Sequence, residues 1–204
     1  MNQFEIHARQ YGYQIIAGID EAGRGPLAGP VVAAAVILPP DYAHPEINDS
    51  KQLTAKRREY LYEVIKEDAL AVGLGVAEAP VIDRINILRA TLMAMRDAVM
   101  DLSLSPEYLL IDGRERIDVQ VPQEAIVKGD AKSISIAAAS IIAKVSRDRI
   151  MEIYHRQFPQ YNFLKNKGYG TVEHREAIHR CGRCKIHRHS FVVKSSGNDQ
   201  PSFL

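Results

Sequence analysis

The chain has 204 residues, 46% hydrophobic and 25% charged, an ordinary mixture for one globular domain with a full core. No stretch reaches the roughly 20 consecutive apolar residues that a membrane-spanning helix needs, and two cysteines, Cys181 and Cys184, are too few and too close for a disulfide framework. The net charge of +1 conceals a polarity: residues 1–127 hold 12 Lys+Arg and 19 Asp+Glu, residues 128–194 hold 14 and 5, which suits the second part to a polyanion and the first to cations.

In chain order, QIIAGID (14–20) and PVVAAAVILP (30–39) read as strands rich in β-branched residues or alanine, joined by a short glycine-rich, hairpin-like connection. Thr54 is a plausible N-cap for a helix running to about Asp68, with Leu61, Val64 and Ile65 on one face. LAVGLGVAEA (70–79) returns as a third strand. Pro80 then suits the first turn of a single long helix, with Ile85, Leu88, Leu92, Met95 and Val99 at three- and four-residue spacing. EYLLIDG (107–113) is a strand ending in Asp112, and EAIVKGD (124–130) a short strand ending in Asp130. A helix follows to about Phe158 with Ile134, Ala138, Ile141 and Val145 inward, and VEHREAIHR (172–180) is the last. Three strands followed by strands alternating with helices predict an α/β sandwich on a mixed sheet.

Asp20, Glu21, Asp112 and Asp130 each fall at the carboxyl end of a predicted strand, the edge where open α/β sheets bind ligands. Carboxylates gathered there repel one another unless a cation neutralises them. Hard oxygen donors suit Mg²⁺ or Mn²⁺ rather than zinc, and a pair of such ions can clamp the two oxygens exchanged at a phosphodiester. Singly, each acid has another reading: Asp112 starts an Asp-Gly turn, Asp130 caps a helix beginning at Ala131, and Asp20 and Glu21 are solvated. Strand alternation aims Asp20 and Glu21 at opposite faces, so both reach one site if the strand breaks there; otherwise Glu21 offers its backbone carbonyl. Asp148, between Arg147 and Arg149 in mid-helix, reads as an ion-pair partner.

GRGPLAG (23–29) is neither common phosphate loop, since it lacks Gly-Lys-Ser/Thr and leads into a strand. Gly23 and Gly25 around Arg24 suit backbone that approaches a ligand closely, with amides for a sugar hydroxyl and Arg24 for phosphate. HRCGRCKIHRH (179–189) offers Cys181 and Cys184 beside His179, His187 and His189, but zinc sites space their second ligand pair further off, so no structural zinc is expected. The opening residues lack the basic and apolar regions of a signal peptide, so a cytoplasmic protein is expected.

GIDEAGRGPLAGPVVAAAVIL (18–38), INDSKQL (47–53), LLIDG (109–113), VKGDAKSISIAAASIIAKVSRDR (127–149) and NKGYGTVEH (166–174) closely resemble, in order, the motifs of bacterial ribonuclease HII, the type 2 ribonuclease H; IHRHSF (186–191) resembles its C-terminal segment. The resemblance implies a ribonuclease H-like fold: a mixed five-stranded sheet flanked by helices, in one catalytic domain over residues 1–194. Its small helical C-terminal part would start at about residue 150, and residues 195–204 would form a flexible tail. It implies an endonuclease for RNA–DNA hybrids that also cuts 5′ of single ribonucleotides in duplex DNA, giving 3′-hydroxyl and 5′-phosphate ends by two-metal hydrolysis. Asp20, Glu21 and Asp112 would be metal ligands for Mg²⁺ or Mn²⁺, with Asp130 completing the acidic cluster. Gly23, Arg24, Gly25 and Tyr169 would sense the ribonucleotide 2′-hydroxyl, although a packed loop tyrosine is the alternative at Tyr169. Lys51 would contact phosphate, or be a solvated loop lysine. A monomer with no organic cofactor and no membrane partner is expected.

Overall fold

The computed structural model describes residues 1–47 and 53–193. Its elements in order are helix α1 (Gln3–Gln10), strands β1 (Ile16–Ala22) and β2 (Val31–Ile37), α2 (Ala55–Asp68), β3 (Ala71–Ala77), α3 (Ala79–Ile85), α4 (Ile87–Met100), β4 (Tyr108–Asp112), β5 (Gln123–Ile126), α5 (Ile134–Gln157), α6 (Phe163–Asn166) and α7 (Val172–Cys181). The five strands form one sheet in the order β3-β2-β1-β4-β5. β1 runs antiparallel to β2, and β2 to β3, while β4 lies parallel to β1 and β5 to β4. This is the mixed five-stranded sheet expected from the sequence.

β2 is buried along its whole length, so both of its faces must meet apolar neighbours. Val31, Ala33, Ala35 and Ile37 join a layer with Ala90, Ala94, Met95 and Ala98 of α4. Ala34 and Val36 turn the other way, onto Leu61 and Ile65 of α2 and Ala138, Ile141 and Val145 of α5. α2 starts as expected, with the Thr54 hydroxyl accepting from the Arg57 N–H at 3.2 Å. α5 crosses β1 so closely that a Cβ on Gly18 would lie 2.1 Å from the carbonyl carbon of Ser135. Its far end reaches past the sheet, where Met151 packs with Ala28, Tyr161, Phe163 and Ile178 in a small second core.

Two expectations and one alternative reading are corrected. The single long helix from Pro80 is two, because Asn86 takes φ 69° and its side chain accepts from the Arg89 N–H at 3.1 Å. Asparagine tolerates that backbone and caps a new helix start, which outweighs the continuous apolar spacing. The fifth strand stops at Ile126 rather than at Asp130, since Lys128 turns left-handed at φ 57° and Asp130 sits in a 3-10 turn, Gly129–Ala131. The cap of α5 is Ser133, not Asp130: its hydroxyl accepts from the Ile136 N–H at 3.2 Å. The sequence also gave no sign of α1, which is tied in by buried Glu5, whose carboxylate accepts from the Ser133 hydroxyl at 2.6 Å and the Ser135 N–H at 3.0 Å.

Because α5 rests directly on the backbone of β1, Gly18→Ala is expected to cost about 3 kcal/mol, the upper range for overpacking a closed core. A urea midpoint equal to that of the parent would show that α5 can move away without penalty.

Candidate active site

β1 and β4 pair in parallel only as far as Ile19 and Ile111, whereas β1 continues beside β2 to Ala22. The sheet therefore parts on one side of β1 just where Asp20, Glu21 and Asp112 occur. One carboxylate oxygen from each of these three residues lies within 4.8 Å of those of the other two. β1 does not break, contrary to one condition set by its alternation: Glu21 stays paired with Ala33, and its carboxylate joins the others across the open mouth. Asp130 is buried on its 3-10 turn but does not belong to this close group. The turn is nevertheless coupled to it, because the Gly129 N–H donates to Asp112 Oδ1 at 2.6 Å.

The three acids line a cleft of about 270 Å³ together with Arg58, Ser140, Lys144 and Tyr169. Burial, then the charges of Glu21 and Asp112, hold the Asp20 carboxyl well above the usual range; hydrogen bonds from Ser140 and the Glu21 N–H act against the rise. Burial also raises Glu21, opposed by Arg24, whose Nη1 lies 3.1 Å from Glu21 Oε1. Such a set, made only of oxygen donors and short of positive charge, fits a hard divalent cation. Lys144 is committed to Asp148 at 2.7 Å, so the ion pair of Asp148 is with Lys144 rather than with either flanking arginine.

The glycine turn lines the same cleft. Gly23 has φ +97°, a backbone that side chains rarely adopt, and a Cβ there would lie 2.0 Å from Arg147 Nε. Two buried arginines, which the sequence reading counted with the polyanion-facing charge, hold this connection. Arg147 donates from Nε to the Pro30 carbonyl at 2.9 Å, from Nη2 to that of Ala28 at 3.2 Å and from Nη1 to that of Lys167 at 2.9 Å. Arg188 bonds the carbonyls of Gly23, Arg24 and Gly29. Burial first, and then the charge of Arg147, push Arg188 down to about 9. Their types gave no warning, because a buried guanidinium that bonds only carbonyls leaves no acidic partner to look for.

Tyr169, expected as a substrate residue, is half exposed and its ring lies 3.7 Å from where a Cβ on Gly25 would be. Its loop is pinned from behind. The Cys184 N–H donates to His187 Nδ1 at 2.9 Å, which leaves the proton of His187 on Nε2 to reach His174 Nε2 at 3.0 Å. His174 then donates from Nδ1 to the Tyr169 carbonyl at 2.9 Å. Burial keeps both imidazoles below their ordinary range, His187 at about 4. Lys51 and the expected tail, residues 195–204, lie outside the described residues.

The sequence profile of the family described as Ribonuclease HII matches residues 17–194. The ribonuclease HII of Syntrophus aciditrophicus (strain SB) is 71% identical over 196 residues, covering 96% of this chain and 92% of that one. That of Caldanaerobacter subterraneus subsp. tengcongensis is 56% identical over 194 residues, covering 95% and 80%. Among solved structures, the ribonuclease H2 from Pyrococcus horikoshii OT3 superposes with a TM-score of 0.73 at 25% identity, over 87% of this chain and 94% of that one.

Three acids forced together without a cation oppose folding. Asp20→Asn is expected to raise the melting temperature of metal-free protein at pH 7 by about 2–4 °C, the shift that ~1 kcal/mol produces in a domain of this size. Because the carboxyl of Asp20 is raised, protonation removes the same repulsion as pH falls, so the gain should shrink in acid. Mg²⁺ should raise the melting temperature of the parent more than that of the variant. A variant that melts lower than the parent at pH 7 would contradict this account of the cluster.

Proposed function

The chain belongs to the ribonuclease HII family, the ribonucleases H that cut RNA paired with DNA, and on that premise we propose how it recognises and cuts its substrate. The enzyme cleaves on the 5′ side of a single ribonucleotide embedded in duplex DNA, as well as within longer hybrids, leaving 3′-hydroxyl and 5′-phosphate ends. The reading rests on one juxtaposition: a cluster of three carboxylates shares a cleft with a glycine turn and an exposed tyrosine. A groove of about 470 Å³ continues from Glu21 and Asp112 past Arg114 and Lys128, which suits passage of a phosphate backbone.

Asp20, Glu21 and Asp112 are the ligands for two Mg²⁺ or Mn²⁺ ions, and Asp130 is the fourth acid of the site. Bound there, the ions would supply Lewis-acid chemistry and charge neutralisation at the phosphodiester. The residues of the chain do the selecting. The Gly129 N–H fixes one oxygen of Asp112, keeping that carboxylate aimed at the mouth of the sheet. Gly23, Arg24 and Gly25 present backbone to the ribose, whose 2′-hydroxyl is the group that separates RNA from DNA. Tyr169 stacks on the sugar beyond the ribonucleotide, and Lys51 meets a phosphate. The enzyme works as a monomer in the cytoplasm, with no organic cofactor. A binding module without catalysis is the weaker reading, because uncompensated carboxylates repel a phosphate backbone.

The deciding experiment incubates the protein with duplexes containing zero, one or four ribonucleotides, with and without Mg²⁺. Cleavage is expected for one and four, with Mg²⁺ only; metal-independent cutting, or cutting of all-DNA duplex, would overturn the reading. Asp112→Asn should reduce cleavage to background while preserving the circular dichroism spectrum, and near-normal turnover would remove Asp112 from the ligand set. Tyr169→Ala should lose roughly tenfold or more on the single-ribonucleotide duplex, the equivalent of about 1.4 kcal/mol of lost placement. It should lose less on an all-RNA strand paired with DNA, where further 2′-hydroxyl contacts remain. Equal losses on the two substrates would reduce Tyr169 to general positioning.

A further inference from the structure

Arg188 is 1% exposed, and its guanidinium donates to three backbone carbonyls. Nη2 donates to the Gly23 carbonyl at 2.5 Å, Nη1 to the Arg24 carbonyl at 2.9 Å, and Nε and Nη2 both to the Gly29 carbonyl at 3.0 and 2.8 Å. The arginine is itself fixed: its N–H donates to the Leu27 carbonyl at 2.9 Å, and its guanidinium lies 5.0 Å over the Phe191 ring.

Peptide planarity turns those bonds into a statement about the opposite face of the turn. In a trans peptide the carbonyl of one residue and the N–H of the next point in opposite directions. A Gly23 carbonyl drawn onto Arg188 therefore sends the Arg24 N–H away from it, and an Arg24 carbonyl drawn the same way does so for the Gly25 N–H. Gly23, Arg24 and Gly25 line the cleft together with the three acids, whereas Arg188 does not. Single peptide planes in a glycine turn flip readily, since glycine accepts both signs of φ. Two adjacent planes held by one buried fork do not.

We infer that Arg188 is a positioning residue that sets the Arg24 and Gly25 amides as a preformed pair of donors for the 2′-oxygen of a ribonucleotide. This rests on the proposed function of the same site. Arg188 touches neither substrate nor metal; it acts by orienting two peptide planes. A lysine cannot replace it, because one ammonium lacks the planar fork that reaches three carbonyls.

The test separates ribose reading from both folding and phosphate binding. In an Asp112→Asn background, which blocks turnover, dissociation constants are measured by fluorescence anisotropy in Mg²⁺ at fixed salt. The ligands are a duplex with one ribonucleotide and the identical all-DNA duplex. The background protein should prefer the ribonucleotide duplex, and adding Arg188→Lys should shrink that preference about tenfold, the equivalent of one good hydrogen bond. Affinity for the all-DNA duplex should change less than twofold, because phosphate contacts are untouched. If Arg188→Lys does not fold, Phe191→Ala, which removes only the ring under the guanidinium, should produce the same change to a smaller degree. An unchanged preference, or an equal loss on both duplexes, would overturn the role of Arg188. Absence of any preference in the background protein would overturn the ribonucleotide reading itself.

Discussion

Everything in this molecule answers to one unfavourable arrangement: three carboxylates held within 4.8 Å of one another, in part out of water. Such a cluster does not form by preference, since desolvation and mutual repulsion both act against it. It forms because the scaffold leaves it no alternative. β1 is bonded to β2 through Ala22 on one side and released from β4 after Ile19 on the other, which fixes both acidic positions while opening space between them. α5 lies so near Gly18 that β1 cannot relax away from the site. The strain is carried by a closely packed sheet interior rather than by any local feature of the acids.

The C-terminal part serves the cleft as a frame. Arg147 leaves α5 to bind carbonyls on both the glycine connection and the Tyr169 loop, which makes it the bridge between the two lips. The His187–His174 relay ends on the Tyr169 carbonyl, and Arg188, next in sequence to His187, ends on the glycine turn. Adjacent residues thus brace opposite lips of one cleft. This changes the meaning of the charge polarity in the sequence. Part of the basic surplus after residue 127 meets backbone oxygen inside the protein, and only the remainder is available to a polyanion.

The fold was largely legible because its strands and two main helices follow simple rules: β-branched or alanine-rich runs, a threonine cap, apolar spacing. What escaped the sequence reading depended on competition or distance. At Asn86 a side-chain cap competes with helix continuation, and spacing alone does not reveal the winner. At Lys128 a left-handed residue ends β5 early, so Asp130 arrives on a turn. Asp20, Glu21 and Asp112 could be nominated because acids at strand ends are chemically conspicuous. Arg188 could not, because its partners are peptide carbonyls more than 150 residues away and peptide carbonyls are everywhere. The motifs are conspicuous in the chain; the residues that hold them in position become so in the fold.

That distance has a consequence for how the enzyme is born. The bond between Arg188 and the Gly23 carbonyl spans 165 residues. A ribosome adding roughly 5–20 residues per second would deliver the turn some 8–33 s before the arginine that orients it. Asp112 joins the chain within that interval, and the turn still waits for the side chain that fixes its two peptide planes. A chain cut short anywhere before Arg188 keeps the turn without that brace, so the shape of one lip of the cleft depends on a residue made long after the lip itself.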